Sequence, residues 1–223
     1  GFFGRIVGFR LEFGWWVFDG VHTPAQRPSW NYRASGGGGL TFDMYPHWRY
    51  VVEGILGRIR AIVSAAWTAQ PERIDERGKR YAVDVDDSVA TIVELENGAF
   101  GTIVSSWATR VRRDDLFTLQ VDGTHGSAVA GLHRCHVQSL AETPKIPGFS
   151  VNVDLGVDYR AQWGAVPDLS PYKNPYRVGW EGFLRHVVAG TPFASDLRAG
   201  VRDVALAEAC RLSMAERRWV TLE

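Results

Sequence analysis

The 223 residues suffice for a full hydrophobic core, in one large domain or two small ones. Lysine plus arginine and aspartate plus glutamate both number 25, so bulk charge argues against nucleic acid or an acidic membrane as partner. No apolar run is long enough to span a membrane, and Cys135 and Cys210 lack metal or redox spacing, which fits free thiols in a reducing, cytoplasmic setting.

Taken in chain order, residues 5–13 alternate, with Val7, Phe9, Leu11 and Phe13 on one side, and predict a strand. Residues 19–35, carrying Arg27, Trp30, Tyr32 and Arg33, predict an irregular loop that ends in the glycine run Gly36–Gly39. An amphipathic helix follows over 39–56, with Gly57 as its stop. Pro46 lacks an N–H and crowds the carbonyl of Phe42, so either the helix kinks there or its regular part starts near Pro46. Strands are then predicted at 58–68, at 88–96 and 99–108 paired across Asn97-Gly98, at 115–122 and 126–131 around Gly123, and at 134–140. Residues 141–172, with four prolines, read as loop with at most one edge strand. Two helices, 174–189 and 196–216, flank Gly190-Thr191-Pro192, and Trp219–Leu222 predicts a last short strand.

This order predicts an α+β fold: a large, mostly antiparallel open sheet with helices on one face. Its other face, assigned Phe100, Ile103, Trp107, Phe117 and Val121, would be covered by a second copy in a dimer or tetramer.

Asp43 and His47 stand four residues apart on the first helix, which puts a carboxylate and an imidazole on one face beside the glycine run. Histidine titrates near neutrality and can take a proton from an alcohol or return one to a carbonyl. From the residues alone, the pair fits a structural contact as well as a site. His125, His133, Cys135 and His136 would not converge as metal ligands, since His133 and Cys135 face one side of a strand and His136 the other; a metal-dependent lyase or hydrolase is the weaker alternative. Asp84, Asp86 and Asp87 lack the glycine and closing glutamate of a calcium loop and read as a solvated turn. No G-x-G-x-x-G opening a helix after a strand, no phosphate-binding G-x-x-x-x-G-K-[ST] and no G-x-S-x-G elbow occurs.

The stretch Gly37-Gly38-Gly39-x-x-x-Asp43-x-x-x-His47, followed by an apolar helix and Gly57, resembles the signature of the glucose–fructose oxidoreductase / inositol dehydrogenase / MocA family. The resemblance extends to Gly1-x-x-Gly4-Arg5-Ile6-Val7, to Asp87-Ser88 through Trp107, to Phe183-Leu184 through Ser213, and to Val220-Thr221-Leu222. It implies that residues 1–223 form one C-terminal substrate-binding and oligomerisation domain, with NAD or NADP held mainly by an N-terminal Rossmann domain outside this chain, and with the fragment inactive alone. It further implies that His47 exchanges a proton with the reacting hydroxyl and that Asp43 orients substrate and imidazole, in an oxidoreductase acting on a sugar, inositol or related polyol. The family's E-K-P lysine motif is not found in these residues. Trp30, Tyr32 and Arg33 are expected to form one wall for a carbohydrate-like substrate, and Trp107 and Arg110 another. A non-catalytic binding or assembly module with the same fold is the rival reading.

Overall fold

The computed structural model describes residues 1–15, 20–22, 24, 28–145, 156, 158–168 and 173–222. Arg27 and parts of the 19–35 and 141–172 loops lie outside the described residues.

Among the described residues, eleven strands and three α-helices follow in the order β1 (Ile6–Gly14), α1 (Leu40–Ile55), β2 (Ile59–Trp67), β3 (Glu72–Ile74), β4 (Arg80–Ala82), β5 (Ser88–Leu95), β6 (Phe100–Ser106), β7 (Phe117–Gly123), β8 (Gly126–Ala130), β9 (Cys135–Ser139), β10 (Gly164–Ala165), α2 (Pro175–Ala189), α3 (Leu197–Glu216) and β11 (Val220–Thr221). Nine of the strands form one sheet in the order β10-β9-β8-β7-β1-β6-β5-β2-β11, while β3 and β4 pair separately. Every neighbour in the large sheet is antiparallel except β1 and β6, which run parallel. The α+β expectation holds, and the edge strand foreseen within 141–172 is β10.

The β5–β6 hairpin turns at Asn97-Gly98, where Gly98 adopts a positive φ of 81°. Asn97 also donates through Nδ2 to the carbonyl of Leu56 at 2.9 Å, so the hairpin tip satisfies the C-terminal end of α1. On β1, Phe9 and Leu11 are buried as expected, but Val7 is 53% exposed. A bulge between Ile6 and Gly8 opposes two steps on β1 to one on β7, which reverses the phase and turns Val7 outward.

Thr41, Tyr45, Trp48 and Val52, at helical spacing, face α1 inward onto the sheet beside Leu206 and Cys210 of α3. The helix termini follow their sequence signals. Asn174 caps α2 ahead of Pro175, Asp196 caps α3 through the Ala199 N–H at 2.8 Å, and Gly190 ends α2 in the left-handed conformation. The expectation that all helices cover the sheet needs one correction. α2 buries no side chain, and Tyr176, Trp180, Phe183, Leu184, Val187 and Val188 form an exposed apolar stripe along it.

The face opposite the helices also differs from expectation. Ile103, Trp107, Phe117 and Val121 lie in the core, and only Phe100 of the assigned five points outward. Alternation explains this on β6, because Phe100 and Ile103 are three residues apart and must face opposite sides. The outer face has an apolar half, with Trp67, Ile92, Phe100 and Val104 exposed, and a polar half in which Arg10 meets Asp122 at 3.5 Å.

Candidate active site

The first turn of α1 is held from outside the helix. Gly39 occupies the N-cap with no side chain to offer, and the orphan N–H groups go to Asp86. The Leu40 N–H donates to the Asp86 carbonyl at 2.9 Å, and both the Thr41 N–H and hydroxyl donate to Asp86 Oδ2 at 2.8 Å. Asp84 Oδ1 accepts from the Ala34 N–H at 2.7 Å, at the other end of the glycine run. Asp87 is fully buried and accepts from the N–H groups of Ala69 and Gln70 at 2.7 and 2.9 Å. The acidic trio is therefore not a solvated turn. It is a strap that ties the glycine run and α1 to the sheet.

The glycines answer to the same packing. A Cβ on Gly38 would collide with the carbonyl of Asn31, and one on Gly39 would stand 2.9 Å from Asp86 Oδ1. Gly37, at φ 73°, is open on its Cβ side. A Cβ on Gly36 would stand 2.9 Å from the Trp30 Cβ, so three of the four bare positions serve close approach within the protein itself.

The helix runs from Leu40 to Ile55 with Pro46 inside it, so of the two sequence alternatives a start near Pro46 does not hold. Asp43 and His47 both lie exposed on one face, opposite the stripe of Thr41, Tyr45, Trp48 and Val52. Groups one helical turn apart have Cβ atoms about 5–6 Å from each other. Beneath His47 the Trp48 ring lies 6.4 Å away, stacks on Phe117 at 5.5 Å and donates through its indole N–H to Ser105 Oγ at 3.2 Å. The inward side of α1 carries a second polar anchor. Tyr45, fully buried, shares a hydrogen bond with Thr91, which meets Ser64 at 2.7 Å. Burial, with the Cys210 thiol nearby, raises the Tyr45 phenol well above its usual range, so it stays protonated.

The other candidates separate into two groups. Trp30 is 52% exposed, Arg110 is exposed, and half-buried Arg33 stacks over the Tyr81 ring at 3.9 Å. Tyr32 and Trp107 are corrected from wall to core: they are 0% and 1% exposed, and their rings meet edge to face at 5.7 Å. Arg73 covers the Tyr32 ring at 4.0 Å, so neither aromatic face remains for a ligand. A cavity of about 460 Å³ opens beside the first turn of α1, between Gly37, Phe42, Trp67, Asp84 and Arg211, but neither Asp43 nor His47 lines it. The Asp43/His47 face is open to solvent in this chain.

Among the described residues no three His, Cys, Asp or Glu groups converge to hold a metal ion, and no helix is long and apolar enough to cross a membrane. The residue that sequence reasoning missed is Asp86. Its partners lie 45 positions away, and the only local hint was a helix beginning at glycine without a capping side chain.

Comparison with known proteins gives a consistent picture. The family model described as the GFO/IDH/MocA C-terminal domain matches residues 1–129. A D-xylose dehydrogenase of Paenarthrobacter nicotinovorans is 47% identical over 226 residues, covering 100% of this chain and 58% of the relative. A levoglucosan dehydrogenase of Pseudarthrobacter phenanthrenivorans is 31% identical over 150 residues, 60% of this chain and 37% of the relative. In fold, a levoglucosan dehydrogenase solved in complex with NADH and L-sorbose superposes with a TM-score of 0.77 at 24% identity, over 100% of this chain and 60% of that one. The chain thus spans less than two thirds of the length of each of these proteins.

Proposed function

Because the chain belongs to the GFO/IDH/MocA family, we propose that it is the substrate-side domain of an NAD(P)-dependent dehydrogenase acting on a sugar, inositol or related polyol. The observation that carries this reading is the placement of Asp43 and His47 together on the exposed face of a helix whose opposite face is fixed in the core. The 47% identity with a D-xylose dehydrogenase favours a sugar over other alcohols as substrate class.

These residues do not fit a dinucleotide. The chain has no phosphate-cradling glycine fingerprint, and Gly38 and Gly39 are closed by Asn31 and Asp86. A nicotinamide cofactor, NAD or NADP, would be held by a separate N-terminal domain, and redox transfer would depend on that domain. What this chain supplies is proton handling and orientation. His47 takes the proton of the reacting hydroxyl in oxidation and returns it in reduction. Asp43, one turn nearer the helix start, accepts a hydrogen bond from a neighbouring hydroxyl and steadies the imidazole. Trp30, Arg33 and Arg110 would contact the remaining hydroxyls. The outer sheet face, through Trp67, Ile92, Phe100 and Val104, would pair with a second copy in a dimer or tetramer.

The test is His47→Ala in the full-length protein, assayed against a panel of aldoses and polyols. General acid–base groups contribute roughly 10²–10⁴-fold, so kcat should fall by that factor with an unchanged circular dichroism spectrum. An unaltered kcat would remove His47 from the chemistry, and no turnover of any sugar by the unmutated protein would favour a non-catalytic module.

A further inference from the structure

We propose that Asp86 is a positioning residue for the Asp43/His47 pair: it fixes the segment of α1 ahead of Pro46, so that Asp43 keeps its place relative to His47 across the proline. This rests on the dehydrogenase reading above and assigns it a residue that no sequence motif indicates.

The argument begins with Pro46. Lacking an N–H, it leaves the carbonyl of Phe42 without its i+4 donor, so the first turn is tied to the rest of α1 by one hydrogen bond fewer than in an uninterrupted helix. The segment after the proline has its own fixings. Trp48 donates to Ser105, and Arg49 binds Asp203 and Glu53. The segment before it, Leu40–Tyr45, carries Asp43 and depends on contacts beyond the helix. At its end Tyr45 meets Thr91, and at its start Asp86 takes the Leu40 N–H, the Thr41 N–H and the Thr41 hydroxyl. A carboxylate there also suits the positive end of the helix dipole.

Asp86 is itself firmly placed. It lies next to Asp87, which is buried and bonded to the Ala69 and Gln70 N–H groups, and two residues after Asp84, which holds Ala34. The helix start is therefore referenced to the sheet through a short loop ahead of β5. Gly39 belongs to the same device, since a side chain there would press on Asp86 Oδ1 at 2.9 Å from a backbone with φ 117°. A shift of the first turn would move Asp43 while His47, beyond the proline, stayed in place.

The experiment is a double-mutant cycle in the full-length dehydrogenase, using Asp86→Ala, Asp86→Asn, Asp43→Ala and the Asp86→Ala/Asp43→Ala pair, with His47→Ala as control. Asp86→Ala should lower kcat about 10- to 100-fold with a smaller change in KM, comparable to a small misplacement at a reacting centre. Asp86→Asn keeps an acceptor oxygen and should recover most of that loss. It also serves as the test variant should Asp86→Ala fail to fold, an Asn kcat below wild type then being the supporting result. In the Asp43→Ala background the effect of Asp86→Ala should vanish, because a residue acting through Asp43 has nothing left to position. Additive losses in the cycle, or a wild-type kcat in both Asp86 variants, overturn the proposal. If His47→Ala leaves kcat unchanged, it is the underlying dehydrogenase reading that fails.

Discussion

Helices α1 and α2 are of similar length, 16 and 15 residues, yet they stand in opposite relations to the rest of the molecule. α1 has an inward stripe in the core, a carboxylate strap at its start, an asparagine at its end and a buried arginine binding it to α3. Its exposed side carries Asp43 and His47 among Phe42, Tyr50 and Ile55. α2 is well capped at both ends, but its apolar stripe faces outward and no side chain of it is buried. Capping defines where a helix starts and stops, whereas its orientation needs tertiary contacts. Among the described residues, the chain fixes the orientation of α1 by itself and does not do so for α2.

Breaking the anchor of α1 should give the largest effect. Arg49 has a side chain only 4% exposed, and it binds Asp203 and Glu53, each 13% exposed, together with the Ala199 carbonyl. Removing one partner of a buried ion pair strands the others and costs about 3–5 kcal/mol. For a domain of this size that is a fall in Tm of roughly 6–20 °C for Arg49→Met, readable by calorimetry. A change within about 2 °C would mean that α1 does not depend on α3.

The second effect is smaller and depends on pH. Burial pushes the Cys210 thiol from its ordinary value of 9 up to about 12, and it raises the Tyr45 phenol in the same direction. Both groups hold their protons more tightly folded than unfolded. The stability this contributes is complete below about pH 9, and it is lost as pH rises toward 12 because the unfolded chain ionises first. One such group gives a slope of at most about 1.4 kcal/mol per pH unit. Wild type should therefore lose more Tm between about pH 8 and pH 10.5 than Cys210→Ala. Identical slopes would show that the thiol does not sense its burial.

Most of α1 and its surroundings was legible because the signals are local. The helix period, Gly57 as a stop and the Asn97-Gly98 turn all act within a few residues, and the structure places each as expected. Distant pairings left no such trace. The parallel partnership of β1 with β6 joins segments some ninety residues apart, and Asp86 reaches Thr41 from 45 positions away. Aromatic residues misled for a different reason. Tyr32 and Trp107 look the same in sequence whether they wall a pocket or fill a core, and only the burial of both faces decides between them. At Val7 alternation failed because one extra residue in the strand reverses every side chain beyond it.

The smallest expected effect belongs to α2 and sharpens the contrast from the other side. Val188 lies at the C-terminal end of its apolar stripe and is 84% exposed, so Val188→Ser removes no packing within this chain. Surface substitutions of this kind stay within about ±0.5 kcal/mol, which for 223 residues is a Tm change of no more than roughly 2 °C. Far-UV circular dichroism of the variant should match the parent, because Asn174 and Gly190 still define the helix ends. A loss of several degrees in the isolated chain would place Val188 against another element and make α2 as firmly seated as α1. No loss in the isolated chain, followed by a clear loss in the full-length protein, would locate the partner of α2 beyond these residues.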